Sequence, residues 1–237
     1  MRIDVLTTLP EMFRGPLDES ILLRARQSGQ VEIRLVNLRD YTHDRHKKTD
    51  DEQFGGGDGM VMKAEPILEA LDALSADSPG PCEILFTSPQ GERFDHAMAM
   101  QLSRVGHLVI VCGHYKGIDE RAIQLSGGRE VSIGDYILTG GELPAMVVID
   151  AVVRLLPGVV GSYASVEEDS FYQGLLDCPR YTRPQEVRGV NVPEVLLSGH
   201  HAEIEKWRRQ QAEERTRLRR PDLWEAFLRR RHAEREP

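Results

Sequence analysis

Along the first 155 residues, short apolar runs alternate with stretches in which apolar residues recur every three to four positions. The runs Arg2–Leu6, Val31–Leu38, Glu83–Thr87, His107–Cys112 and Glu130–Ile133 have the length of buried strands. The helical pattern occupies Glu19–Gln27, Pro66–Leu74, His96–Arg104, Asp119–Leu125 and Leu143–Leu156. Pro66 suits a first helical turn, where its missing N–H would have no partner in any case. Strands and helices in this order predict an α/β fold, a mostly parallel sheet covered by helices. Leu156-Pro157-Gly158 breaks the last of these helices. Residues 161–176 lie in a stretch of weak periodicity that reads as a linker. Residues 177–237 look mainly helical, with Pro193–Leu197, His200–Leu218 and Pro221–Arg231 as elements and Ser198 near an N-cap.

The chain has 237 residues, 40% of them hydrophobic, enough for an ordinary globular core. No apolar run approaches the roughly 18 residues of a membrane span. The start, MRIDVLTTLPEMF, lacks a signal peptide's apolar region and cleavage site, so a cytoplasmic protein is expected. Cys82, Cys112 and Cys178 include no CxxC pair, which gives a zinc site or disulfide framework little support. Cys82 and Cys112 fall in apolar runs and read as buried thiols. The net charge of −8 argues against a general nucleic-acid binder, yet residues 201–237 hold 11 basic against 8 acidic side chains. A basic tail is compatible with phosphate contacts; on charge alone, a solvated helix laced with ion pairs is the simpler reading.

Two loops stand out. Asp40–Met62 is long, polar and glycine-rich, and such loops tend to be functional or disordered. Its GGGDG run follows no apolar strand and precedes no GK[ST], so it is neither a dinucleotide fingerprint nor a P-loop. The other loop is Gly134–Glu142. It belongs with Thr87-Ser88-Pro89-Gln90-Gly91 and Gly113-His114-Tyr115-Lys116-Gly117: each cluster directly follows a strand candidate. All three should leave the carboxyl edge of a parallel sheet, which is where open α/β sheets bind ligands.

FGGGDGMVMKAEPI, VCGHYKGIDERA, SIGDYILTGGELPAMVVIDAVVRLLPGV and LLSGHHAEIEKWR together resemble the bacterial tRNA (guanine-N1)-methyltransferases, a SPOUT-class family whose sheet ends in a trefoil knot. The match runs in order along nearly the whole chain. The resemblance implies a knotted domain over 1–160 that binds S-adenosylmethionine, and a small helical domain that grips tRNA. It implies methyl transfer to N1 of the guanosine immediately 3′ of the anticodon, position 37, which supports the reading frame. It also implies a homodimer with active sites shared between subunits.

Carried over residue by residue, Gly113, Ile133, Gly134, Asp135, Tyr136, Ile137 and Leu138 match the family's cofactor positions. Ser88, Pro89, Tyr115, Gly140 and Gly141 match further walls of that pocket. Asp169 matches the general base, since N1 of guanine must lose a proton before it can attack. Arg154 matches a cation near the guanine, placed to stabilise charge on O6. Asp50 and Gly59 fall where relatives reach the partner subunit's substrate. Ser165 and Glu168 lie in the segment that orders over the target, and Ser198, His201 and Arg208 match the tRNA-facing part of the helical domain. Position 116 departs from the family: it is Lys where many relatives carry an acid, and is expected to point towards solvent or RNA phosphate. Family members often depend on Mg²⁺; no dedicated cage is readable here, so the ion is expected to act through RNA or a transient carboxylate contact. The rival readings are another SPOUT methyltransferase, a non-catalytic RNA- or nucleotide-binding module, and a Rossmann dehydrogenase. GGGDGM with DSF argues against the first, and the lack of GxGxxG after the first strand against the last.

Overall fold

The computed structural model describes residues 1–78, 80–161 and 166–233. They fall into two compact units, Met1–Gly161 and Ser162–Pro237.

The first unit is built on a five-stranded sheet. Its strands are β1 (Arg2–Thr7), β2 (Glu32–Asn37), β5 (Glu83–Arg93), β6 (His107–Cys112) and β7 (Arg129–Ser132), in the order β2-β1-β6-β5-β7. Every pairing in it is parallel. β6 is buried at every position, as expected of a strand covered on both faces. One face carries Leu6, Phe86, Val109 and Val111, which pack with α2 (Ala64–Ala76) and with Ala122 of α4 (Glu120–Ser126). Helix α5 (Glu142–Val153) packs against both α1 (Ser20–Gln27) and α3 (His96–Leu102), and also meets β6.

Local chemistry sets the helix ends. Asp95 accepts a hydrogen bond from the Met98 amide at 2.9 Å and caps α3, and Asp119 accepts from the Arg121 amide at 3.0 Å at the start of α4. Gly127 ends α4 in the left-handed conformation. Asp95→Ala should therefore lower stability by about 1 kcal/mol in denaturant unfolding, with the midpoint shifted and the slope unchanged.

At the amino edge of the sheet, the fully buried Asp4 carboxylate meets Arg2 Nε at 2.7 Å, Arg34 Nε at 2.6 Å and His107 Nε2 at 2.6 Å. A buried carboxylate without such partners would be costly; here three nitrogen groups surround it. This cluster lies at the opposite end of the strands from the three glycine-bearing loops.

Three elements differ from the sequence expectation. The Asp40–Met62 loop contains a hairpin, β3 (Asp50–Glu52) with β4 (Met60–Met62), which charged and glycine-rich residues concealed. β5 does not end at Thr87: both Thr87 and Glu92 pair with Val131, so residues 88–91 bulge out of the strand. Gly91 permits this, because a Cβ there would overlap the Glu130–Val131 backbone. Pro193–Leu197 is a short 3₁₀ turn over Glu194–Leu197, not an α-helix. Cys112 and Cys178 are buried, whereas Cys82 is only half-buried because it precedes the sheet.

In the second unit, residues 166–178 form turns with Val166, Leu175 and Cys178 buried. An exposed hairpin follows, β8 (Glu186–Val187) with β9 (Val190–Asn191), and then α6 (His201–Arg219) and α7 (Pro221–Ala233). Thr216 is the one fully buried residue of α6, and its hydroxyl accepts the Leu176 amide at 2.8 Å. Trp224 stacks on Phe227, and Arg209 lies over the Phe227 ring. Along α6 the pairs Arg208–Glu205 and Arg209–Glu213 join successive turns.

Candidate functional site

Strands β6, β5 and β7 are neighbours, so the three clusters that follow them meet at one carboxyl edge. They line a cavity of about 780 Å³, within the range of about 300–1,000 Å³ typical of small-molecule and cofactor sites.

The walls are held at backbone distance. The Gly141 amide donates to Gly113 O at 2.7 Å, and His114 forms a bridge with Gly140. The chain leaving β7 thus returns to lie on the loop leaving β6. Thr87, at the end of regular β5 pairing, ties in the third loop: its hydroxyl accepts the Gly113 amide at 3.1 Å and donates to Val111 O at 3.3 Å. Such closeness needs residues without side chains. A Cβ on Gly113 would meet Thr87 O at 2.7 Å, and one on Gly141 would overlap Thr87 Oγ1.

Beneath this contact sits Glu142, wholly buried at the first turn of α5. Its Oε1 accepts the Thr7 hydroxyl at 2.7 Å, and its Oε2 lies 3.6 Å from His114 Nε2. Burial, and then the Glu142 charge, push the neighbouring Cys112 thiol well above its ordinary pKa, so this cysteine is an inert core group.

Of the residues expected to hold a cofactor, Ser88, Pro89, Gly113, Tyr115, Ile133, Gly134, Tyr136, Ile137, Leu138, Gly140 and Gly141 line the cavity. Asp135 is exposed and is not among the lining residues. Tyr136 and Ile137 are more than half exposed, leaving apolar surface at the mouth. Gln90, His114, Thr139 and Pro144 also line it. They stand within the same glycine-bearing motifs, and that adjacency is their only signal in the sequence.

The β3–β4 hairpin forms a further part of the rim. Lys116 N donates to Met60 O at 3.0 Å, Met62 N to Gly117 O at 2.9 Å, and Asp119 N to Met62 O at 2.9 Å. Gly59 lies in the lining, and a Cβ on it would meet Lys116 Cγ at 2.8 Å. The Lys116 stem therefore runs over Gly59; the residue is exposed, yet it also lines the cavity from which it was expected to point away. Burial and then the facing Asp50 carboxylate raise the Tyr115 phenol above its usual pKa, with Arg39 opposing. Asp50 is thus brought to the tyrosine of the cavity wall.

Arg154 is the half-buried C-cap residue of α5, in the first unit. Asp169 belongs to the second unit, half-buried in a turn where its amide donates to Val166 O at 3.2 Å and its carbonyl accepts from Tyr172 N at 3.4 Å. Glu168 is exposed and accepts from Arg180 at 3.0 Å. Ser198 Oγ accepts the His200 amide at 3.1 Å just before α6, His201 opens that helix in solvent, and Arg208 lies two turns on. Ser165 lies outside the described residues. Among the described residues, no group of three or more His, Cys, Asp or Glu could hold a metal ion, and no helix is long and apolar enough to cross a membrane.

A parallel sheet with a glycine-walled cavity at its carboxyl edge defines an α/β protein, and that rim is where open sheets of this class bind small ligands. Its family follows from comparison with known proteins: the family model for tRNA (guanine-1)-methyltransferase TrmD matches residues 1–226, and the chain belongs to this family. It is 57% identical over 224 residues to a tRNA (guanine-N(1)-)-methyltransferase of Moorella thermoacetica, covering 94% of this chain and 90% of the relative. A protein of the same name from Geobacter sulfurreducens is 57% identical over 223 residues, covering 94% and 91%. One from Geobacillus kaustophilus is 52% identical over 227 residues, covering 96% and 93%.

Proposed function

We propose that this chain transfers a methyl group from S-adenosylmethionine to N1 of the guanosine immediately 3′ of the anticodon of tRNA, position 37, and so supports reading-frame maintenance in the cytoplasm. The observation that carries the reading is the convergence of three loops on one cavity whose walls touch through Gly113, Gly140 and Gly141, in a chain of this family.

The cavity fits the cofactor. Its glycines give backbone walls at which amide and carbonyl groups can meet a polar ligand, and Tyr136, Ile137 and Leu138 leave apolar surface for a ring. Ser88, Pro89, Tyr115, Ile133, Gly134 and Asp135 complete the proposed cofactor set. When bound, S-adenosylmethionine supplies an electrophilic methyl carried on a sulfonium. The chain's own contribution there is placement, a substantial source of rate in a bimolecular transfer. The return of the β7 loop onto Gly113 is what a trefoil knot at this end of the sheet would need, and the knot belongs to the proposal.

Guanine N1 carries a proton and is a poor nucleophile until it leaves. Asp169 takes this proton on a carboxylate oxygen, and Arg154 balances the charge that gathers on O6. Asp50 and Gly59 reach the target guanine of the partner subunit, where a carboxylate can accept from the N1–H and N2–H donors that adenine lacks. Ser165 and Glu168 order over the target, while Ser198, His201 and Arg208 face tRNA from the helical domain, 177–237, after the linker 161–176. Support for a homodimer comes from α5, where Leu143 and Val147, one turn apart, are nearly half exposed on the face that also carries the exposed Asp150. No residue of this chain is assigned to Mg²⁺.

Unmodified transcripts carrying guanosine or adenosine at position 37 test the substrate. Methyl label from S-adenosylmethionine should enter only the guanosine transcript; equal labelling of both would refute base selection.

A further inference from the structure

Phe54 is 99% exposed, more than any other large hydrophobic residue among those described. Lone exposed apolar residues are ordinary; its position is what distinguishes it. It stands between β3 and β4, on a turn whose Gly55, Gly56, Gly57 and Gly59 all have positive φ. Apart from chain neighbours, no atom comes within 4 Å of where a Cβ on Gly55 or Gly56 would lie; Gln53 and Lys116 lie over Gly57 and Gly59, and the part of the turn next to the ring is open. The base of the same hairpin is fastened to the cavity rim through Met60 and Met62, and Gly59 and Met60 line the cavity. The ring is thus carried on a short arm rooted at the mouth of the proposed methyl-donor site.

From this placement we infer that Phe54 is a stacking platform for an unpaired nucleobase of the RNA substrate, next to the base being modified. The inference rests on the proposed function and adds a substrate contact to it. Surrounding charge favours a base over the other occupants. Asp51, Glu52 and Asp58, near Phe54 along the chain, are exposed and repel phosphate, but they do not oppose the face of a neutral base. Phosphate has its own place immediately before β3: Arg45, His46, Lys47 and Lys48 are exposed on a turn held by Asp44, whose carboxylate accepts the His46 and Lys48 amides at 2.8 and 2.9 Å. Cations for the backbone beside an aromatic for the bases is the usual composition of single-strand binding surfaces. The glycine turn lets the ring swing onto its base without breaking any packing.

Phe54→Ala, Phe54→Leu and Phe54→Tyr test this with an anticodon stem-loop that carries 2-aminopurine beside the target guanosine. The alanine variant should bind the stem-loop roughly 5- to 150-fold more weakly, the loss of one base–aromatic stack. It should fail to quench the 2-aminopurine as the wild type does. Its affinity for S-adenosylmethionine and its melting temperature should not change. Tyrosine should restore binding and quenching, and leucine should not. Wild-type binding and quenching by the alanine variant would overturn the assignment, as would full rescue by leucine. A change of oligomeric state in Phe54→Ala by sedimentation would overturn it too, by giving the ring to a second copy of the chain. If the wild type methylates tRNA and Phe54→Ala does so with unchanged RNA affinity, only this inference falls; if the wild type binds no stem-loop, the proposed function falls with it.

Discussion

Gly141→Ala should abolish measurable S-adenosylmethionine binding and destabilise the first unit by about 1–3 kcal/mol, the usual cost of overpacking a filled interior. The reason is space, not torsion. Gly141 has φ −82°, a conformation open to any residue. Its missing Cβ, however, would overlap Thr87 Oγ1, lie 2.6 Å from Gly113 N and 2.9 Å from Cys112 Cα. Two of these are backbone atoms at the carboxyl end of the central strand β6. The third is held by its own hydrogen bonds to Val111 and Gly113. To accept a methyl, the β7 loop must lift off Gly113 and break the 2.7 Å hydrogen bond that joins two cavity walls. Gly106→Ala, at an exposed position outside the left-handed region where a Cβ would meet nothing within 4 Å, is the control for a glycine with no close neighbour. Titration calorimetry and denaturant unfolding of both variants read the two effects. Near-wild-type cofactor affinity in Gly141→Ala would mean that the contact between the walls does not build the site.

Asp169→Ala should lower kcat by about 10²- to 10⁴-fold, the usual contribution of a positioned general base. S-adenosylmethionine affinity should remain, because the carboxylate lies in the second unit and the cavity is built wholly by the first. Asp169→Asn is the sharper test, since it keeps the size of the side chain and removes its capacity to take a proton. The turn that carries Asp169 is fixed by main-chain bonds to Val166 and Tyr172, and neither substitution touches these. Equal losses in both variants, with KM for tRNA unchanged, would fit a proton acceptor. Near-normal turnover by either variant, with the cofactor bound, would remove Asp169 from that role.

Much of this architecture could be read from the chain. The five strands of the main sheet and their helices were expected because two-sided burial writes itself as apolar runs such as HLVIVC. The convergence of three loops followed from strand order. What escaped was set by contacts far apart in sequence. The β3–β4 hairpin has charged residues on one strand, and nothing in DDE signals pairing with MVM. The Ser88–Gly91 segment looked like a turn into a helix; it is a bulge, because Gly91 lets β5 resume its pairing with β7. The buried Glu142 opens a helix and would pass for a solvated first-turn carboxylate. Its partner Thr7 lies at the end of β1, and only the fold brings the two within 2.7 Å. The Asp50–Tyr115 approach is of the same kind. Asp169 and Arg154 remain readings by resemblance: one is a turn carboxylate, the other a helix-end cation, and neither pattern alone distinguishes them from ordinary surface groups.

The position of the transferred methyl tests the proposed reaction most directly. Unmodified tRNA is incubated with the protein and labelled S-adenosylmethionine, digested to nucleosides and resolved by mass spectrometry against standards. A single labelled product, 1-methylguanosine, is expected, formed about 10²- to 10⁴-fold more slowly by Asp169→Asn. Label on a ribose hydroxyl, on another atom of guanine or on another base would contradict it.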